Sequence, residues 1–353
     1  MNKIQTICTW NVWGIPFASP RLFNRQNQWR RFIDEQIDVK DDNSFRVVCV
    51  QEAWRWRSGP LSCIFDILGQ YGESKSWFIC IVHFLVQFLV QLLSVTLGLL
   101  ISSKVTYDAK NGLLRPSDNS KKNSMVHAVG INETSDRSLT LLDSGLMILS
   151  NRPPTISGFE PYETREHSKS TVTKRRSFLG LIGRLALLFE RLATKGILWS
   201  YYEDSANSSG SLVITTHMVA GPRTSEVLSI KADACDQLCE LVLALRRRFE
   251  SRTSEFEIFV CGDFNLRPDI PADLKLLKQL CSRCSLRCLG PPWSTLPEHN
   301  THVLGFQCDF IFFSEKKRDD GVFKTTICRP PDSPLLSDHN LILTRRQSGA
   351  SIS

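Results

Sequence analysis

Seven short apolar runs, rich in β-branched residues, recur along the chain, each the length of a buried strand. They are Ile4–Val12, Arg46–Val50, Gly145–Leu149, Leu212–Thr216, Glu257–Val260, Cys308–Phe313 and Leu341–Thr344. Helical patterns lie between them. Arg25–Gln36 follows the first run, and Glu226–Glu250 carries Leu228, Ile230, Leu238, Leu241, Val242 and Leu245 at helical spacing. Strands and helices intermix without the strict alternation of a parallel barrel, so the pattern predicts a layered α/β (α+β) sandwich. With 42% hydrophobic and 22% charged residues the chain can bury a sizeable core, which excludes a mostly disordered protein.

Two segments break this rhythm. Lys104–Arg137 is polar and turn-rich, with 117–124 its expected exposed loop. Trp77–Ile101 is a mainly apolar run with no charged residue apart from a possible His83. The expected organisation is therefore one catalytic domain over 1–346, with an apolar insert at 77–101 and a polar loop at 104–137. A short tail, 347–353, follows. The N-terminus lacks the basic start, apolar core and cleavage site of a signal peptide. Several of the 12 cysteines, such as Cys49 and Cys261, sit inside apolar runs and read as reduced, packed thiols. An intracellular protein is expected. The formal charge of +7 suits an anionic partner such as a membrane leaflet or a nucleic acid.

Six segments bring polar residues to the ends of the apolar runs: Thr9-Trp10-Asn11, Gln51-Glu52, Thr216-His217, Gly262-Asp263-Phe264-Asn265, Asp309 after Cys308, and Ser337-Asp338-His339. Polar groups just past buried strands collect at one edge of a sheet, where α/β sites form. Each segment alone is explained by a solvated turn; the ordered set is not. In that order they resemble the endonuclease/exonuclease/phosphatase superfamily, from about Thr6 to Thr344. The resemblance implies a four-layered sandwich of two mixed β-sheets flanked by helices, and a metal-dependent phosphoester hydrolase. It implies Mg2+, or Mn2+, held by Glu52 with Asn11 beside it. By the same resemblance His339 is the general base and Asp309 orients its ring. Asp263 and Asn265 position water and phosphoryl group, His217 stabilises the transition state and assists the leaving group, and Asp338 holds the site together. His83, His127, His167 and His299 read as ordinary surface or core histidines.

Within that superfamily, Asn11-Val12-Trp13-Gly14-Ile15-Pro16, Gln51-Glu52-Ala53-Trp54, Lys195-Gly196-Ile197-Leu198 and Asn300-Thr301 resemble segments of neutral sphingomyelinases. Met218-Val219-Ala220 and Gln307-Cys308-Asp309 depart from that pattern, which has Leu-Gln-Ala and Arg-Ile-Asp. The implied reaction is hydrolysis of sphingomyelin, or a related sphingophospholipid, to ceramide and phosphocholine; a nuclease, an inositol-phosphate phosphatase and a silent adaptor are the alternatives. No nucleic-acid partner is expected, because no basic stripe accompanies the motifs. Trp77–Ile101 is long enough to cross a bilayer, which takes roughly 20 apolar residues. A single crossing, however, would put Glu52 and His217 on opposite sides. A monotopic element is expected instead, with His83, Gln87 and Gln91 as a polar stripe. Residues 174–194, basic then amphipathic, form a second candidate membrane contact or an ordinary packed helix. Cys281, Cys284 and Cys288, with His299 and His302 downstream, have a zinc-like look. Their spacing also places three cysteines on one helical face, and buried thiols are the default reading.

Overall fold

The computed structural model describes residues 3–12, 22–37, 44–52, 55–58, 105–108, 127–130, 145–163, 195–221, 224–290, 293, 297–315, 322–330 and 337–347. Two six-stranded sheets form the frame. In the first, β13 (Phe323–Cys328), β14 (Leu341–Arg346), β1 (Ile4–Asn11), β2 (Phe45–Gln51), β6 (Met147–Ser150) and β5 (His127–Gly130) lie in that order. In the second the order is β11 (Arg287–Cys288), β12 (Asp309–Glu315), β10 (Glu255–Asp263), β9 (Ser209–His217), β8 (Gly196–Asp204) and β7 (Ile156–Pro161). A separate two-stranded antiparallel sheet pairs β3 (Arg55–Ser58) with β4 (Val105–Asp108). Each large sheet has a parallel central pair, β1 with β2 and β9 with β10, flanked by antiparallel neighbours. Among the described residues three α-helices accompany them: α1 (Leu22–Ile37), α2 (Ser225–Glu250) and α3 (Pro271–Cys284).

The two-residue alternation of strand side chains explains the layering. On β1 and β2, Cys8, Trp10, Val48 and Val50 pack outward against Trp29, Phe32, Ile33 and Ile37 of α1. Their neighbours Ile7, Val47 and Cys49 point the other way, meeting Val213, Phe259, Cys261 and Ile311 between the sheets. On β10, Ile258 and Val260 face Leu238, Val242 and Leu245 of α2 and Leu277 and Leu280 of α3. Central strands buried on both faces read as continuous apolar runs. At the end where β1 begins, Glu257 bridges the sheets: it accepts from the Ile4 amide at 2.9 Å and the Ser211 hydroxyl at 2.7 Å, and pairs with Arg346.

All seven expected strands are present, and α1 and α2 match their predicted spans to within a few residues. Four expectations need correction. The polar segment 104–137 contains β4 and β5, so it is not loop throughout. Leu228 is exposed, at 37%, while its neighbour Val227 is buried, so the first turn of α2 turns Val227 and not Leu228 inward. The three cysteines do not share a helix: α3 ends at Cys284 with Ser285 in the left-handed conformation, and Cys288 is on β11. His302, read as a distant partner of those cysteines, belongs elsewhere. The apolar insert 77–101, residues 174–194 and the 117–124 loop fall outside the described residues. Among the described residues, no helix is long and apolar enough to cross a membrane.

Candidate active site at the strand ends

Strand register puts the chemistry in one place. On β9, β10 and β12, His217 pairs with Asp263, and Asp263 with Asp309, giving three polar residues in one row across adjacent strands. In the facing sheet Asn11 pairs with Gln51, the residue before Glu52, and His339 precedes β14. The parallel pairs of both sheets thus end at the same edge. Backbone geometry sharpens the turns that follow. Glu52 and Asn265 adopt φ of 57° and 50°, a left-handed conformation uncommon for non-glycine residues, and Gly262 has φ 144°.

The side chains converge. Asn11 donates to Asp263 Oδ2 at 3.0 Å, and its side chain also bonds Glu52. His217 Nε2 lies 3.5 Å from Glu52 Oε1 and 3.6 Å from Asp263 Oδ2. His339 Nδ1 is 2.9 Å from Asp309 Oδ2, while its Nε2 is 3.8 Å from Asp263 Oδ2 and 3.9 Å from Asp338 Oδ1. Asn265 donates its backbone N–H to Asp263 Oδ1 at 2.9 Å, and its side-chain amide to the Met218 carbonyl at 3.0 Å. All eight residues singled out in the sequence therefore meet at this edge. Gln51 anchors the floor, donating to Thr215 Oγ1 at 2.9 Å across the sheet interface. A cleft of about 360 Å³ opens beside Asn265, bounded by Leu228, Lys231, Arg267 and Phe306.

The sequence profile of the Endonuclease/Exonuclease/phosphatase family matches residues 8–339. The chain belongs to this family. The site lies between the first and last matched residues, Cys8 and His339, in a family of phosphoester hydrolases. No significant match is found among proteins of curated function. Among solved structures, a Staphylococcus aureus beta toxin superposes with TM-score 0.56 at 14% identity, covering 97% of this chain and 100% of that one. A beta toxin double mutant with bound magnesium ions gives 0.53 at 12% identity, covering 98% and 100%. A humanised D. rerio TDP2 gives 0.50 at 11% identity, covering 98% and 99%. At these identities the likeness establishes the fold, a two-sheet sandwich of the kind the sequence predicts.

Electrostatics separate His217 from His339. Burial first, then the cationic neighbours Lys195 and His339, hold His217 well below its ordinary pKa. Burial alone would lower His339 as well, but the Asp309 and Asp263 carboxylates outweigh it and raise His339 to about 10. Burial, moderated by Lys195, raises Glu52 to about 7. Asp263 is also raised, by burial and by the charge of Asp309. Opposed shifts on neighbouring groups are how a site divides acid and base roles. Among the described residues, two side-chain groups could hold a metal ion: Asp263, Cys308, Asp309 and His339, and His302, Asp338 and His339.

Three contributors escaped sequence reasoning. Lys195 Nζ sits 2.9 Å from His217 Nε2, buried just before β8; the Lys195–Leu198 match flagged the segment without giving the lysine a task. Tyr162 donates to Thr216 Oγ1 at 2.6 Å, and Thr216 in turn donates to the Gly196 carbonyl at 3.0 Å, fixing the backbone before His217. His302 stacks on Phe306 with centroids 4.4 Å apart, and its Nε2 is 3.5 Å from Asp338 Oδ2. No apolar run leads into Tyr162 or His302, so periodicity carried no signal for them.

Proposed function

We propose that the chain is a magnesium-dependent phosphodiesterase that hydrolyses sphingomyelin, or a related sphingophospholipid, to ceramide and phosphocholine. The observation that carries the reading is the His217–Asp263–Asp309 row facing Glu52 and the Asp309-held His339. The choice of substrate rests on the Asn11–Pro16 and Lys195–Leu198 segments and on the apolar insert.

The residues fit a hard divalent cation. Glu52 Oε2 is buried with no hydrogen-bond partner among the described residues, and a buried carboxylate oxygen in that state favours a bound cation. A beta toxin of the same fold carries magnesium ions, which agrees with that choice. Glu52, with Asn11 beside it, would hold the ion, which would neutralise phosphoryl charge and polarise water.

The chain's own groups do the rest. His339, held by Asp309 through Nδ1, presents Nε2 to the attacking water; a bound cation would offset the Asp263 and Asp309 charges that raise its pKa to about 10, and so leave the ring able to take the water's proton. Asp263 and Asn265 align water and phosphorus, Asp338 keeps His339 in place, and the new oxygen–phosphorus bond forms opposite the ceramide oxygen. As the bond from phosphorus to the ceramide oxygen breaks, neutral His217, backed by the Lys195 ammonium, stabilises the phosphoryl oxygens and the departing alkoxide, which takes a proton from solvent to leave as ceramide. The cleft beside Asn265 offers room for one arm of the diester. On this reading the protein works at the cytosolic face of a membrane, touching it through 77–101 and 174–194.

Parallel assays test the substrate: phosphocholine release from sphingomyelin micelles against nicking of supercoiled plasmid, both with magnesium. Lipid turnover without nicking is expected. Nicking without lipid turnover would overturn the lipid reading and favour a nuclease.

A further inference from the structure

His302 sits on the turn that carries the chain from Thr301 back to Phe306, and that turn is tied to the segment holding His339. The His302 backbone forms antiparallel bridges with Phe306 and with His339. The Val303 amide donates to the Asp338 carbonyl at 2.9 Å, and the Asn340 amide to the Thr301 carbonyl at 2.7 Å. The imidazole is held as firmly as the backbone. It stacks on Phe306 with 13° between the ring planes, and meets the His339 ring edge-on with centroids 4.6 Å apart. The Arg267 guanidinium lies over Phe306 in turn, 4.6 Å from its centroid.

One hydrogen bond decides which nitrogen carries the ring proton. The Leu304 amide donates to His302 Nδ1 at 3.0 Å, so Nδ1 is the acceptor and Nε2 the N–H. That Nε2 lies 3.5 Å from Asp338 Oδ2. The second oxygen, Asp338 Oδ1, is 3.9 Å from His339 Nε2 and is buried with no hydrogen-bond partner among the described residues. Asp263 Oδ2, 3.8 Å from the same nitrogen, already accepts from Asn11. A buried acceptor without a donor is costly, so Asp338 Oδ1 is placed for one that arrives with the reaction. A water that gives one proton to His339 Nε2 has a second proton to place.

We propose that His302 is a positioning residue for Asp338: its Nε2–H holds Oδ2 and thereby turns Oδ1 toward the water that His339 activates. The terminal torsion of an aspartate is soft, and the Asp338 side chain is 20% exposed, so without that donor the carboxylate turns toward solvent. Losing the alignment lowers turnover rather than substrate binding, because the water matters only as the new bond forms. The effect on turnover rests on the proposed function; the contact between His302 and Asp338 does not.

Two variants separate the donor from the ring. His302→Phe keeps an aromatic ring to stack on Phe306 and lacks the N–H; His302→Gln loses the ring and keeps an N–H close to the position of Nε2. In sphingomyelin micelles with magnesium, His302→Phe is expected to lower kcat about 10-fold or more with KM within about 2-fold, and His302→Gln to recover most of the loss. A His302→Phe protein that turns over like the parent, or a His302→Gln protein that falls as far as His302→Phe, would overturn the proposal and leave stacking as the role of the ring. Nitrogen-15 NMR of the imidazoles in the folded full chain needs no substrate. His302, assigned by the signals lost in His302→Gln, is expected to show its proton on Nε2, with a resonance that moves in Asp338→Asn. A proton on Nδ1, or no response to Asp338→Asn, rejects the proposal. A parent chain that leaves sphingomyelin intact while passing the NMR test would refute the substrate and keep the His302–Asp338 contact, so the two failures are told apart.

Discussion

Replacing Gly262 with alanine should damage stability and turnover together. Gly262 precedes Asp263 and pairs with Thr216, the residue before His217. A Cβ there would lie 2.0 Å from the Thr216 carbonyl oxygen and 3.0 Å from its carbonyl carbon and amide nitrogen, all backbone of a central strand. Relief requires β9 and β10 to separate by at least about 1 Å, and a displacement of that size at reacting groups costs about 100-fold in rate. The φ of +144° adds strain for any residue with a side chain. Strained backbone contributes roughly 1–3 kcal/mol and overpacking a similar amount, so the destabilisation should be about 4 kcal/mol. At roughly 2–4 °C per kcal/mol for a large domain, the melting temperature should fall by about 10 °C. Gly290→Ala is the control, since its Cβ would meet only the Cys288 sulfur at 3.6 Å, an ordinary contact. Calorimetry and a magnesium-supported hydrolysis assay on both variants read the difference. A Gly262→Ala protein that melts within about 2 °C of the parent and turns over at a similar rate would refute the reasoning.

Glu257→Gln removes the buried carboxylate that pairs with Arg346 at the end of the sandwich remote from the site and leaves that guanidinium Glu315 as its carboxylate partner, at 3.9 Å; about 2 kcal/mol should be lost in urea unfolding. Metal-free protein should lose stability with rising pH. His339 is raised from 6.5 to about 10, so its contribution is full below pH 6.5 and disappears as pH climbs through about 10. A melting temperature that rises over that interval would contradict the carboxylate environment assigned to His339. Lys195→Met removes a cation from beside His217, so the His217 pKa should rise toward its ordinary value and hydrolysis should drop; imidazole NMR titration reads the first and the lipid assay the second.

Burial on both faces made the site's scaffold legible. β1, β2, β9, β10 and β12 are central strands, so their sequences are mainly apolar runs that end at Asn11, Gln51-Glu52, His217 and Asp263, or start at Asp309. The edges of the sheets carried no such signal. β13 alternates between half-buried and exposed positions, β7 is partly exposed along its length, and β11 has two residues. For the cysteines a helical period was the wrong template, because α3 stops at Cys284 and the chain turns into β11. Lys195 and His302 reach the site through tertiary packing, from positions with no local pattern to mark them.

The central claim is that these strand ends form a metal-dependent phosphodiesterase site with His339 at its centre. The most direct measurement is phosphocholine release from sphingomyelin in detergent micelles, with magnesium and with chelator, for the unaltered chain and His339→Ala. The account predicts magnesium-dependent release that chelator abolishes and the substitution reduces by at least about 100-fold. Release that persists in folded His339→Ala, or is indifferent to the metal, would contradict it.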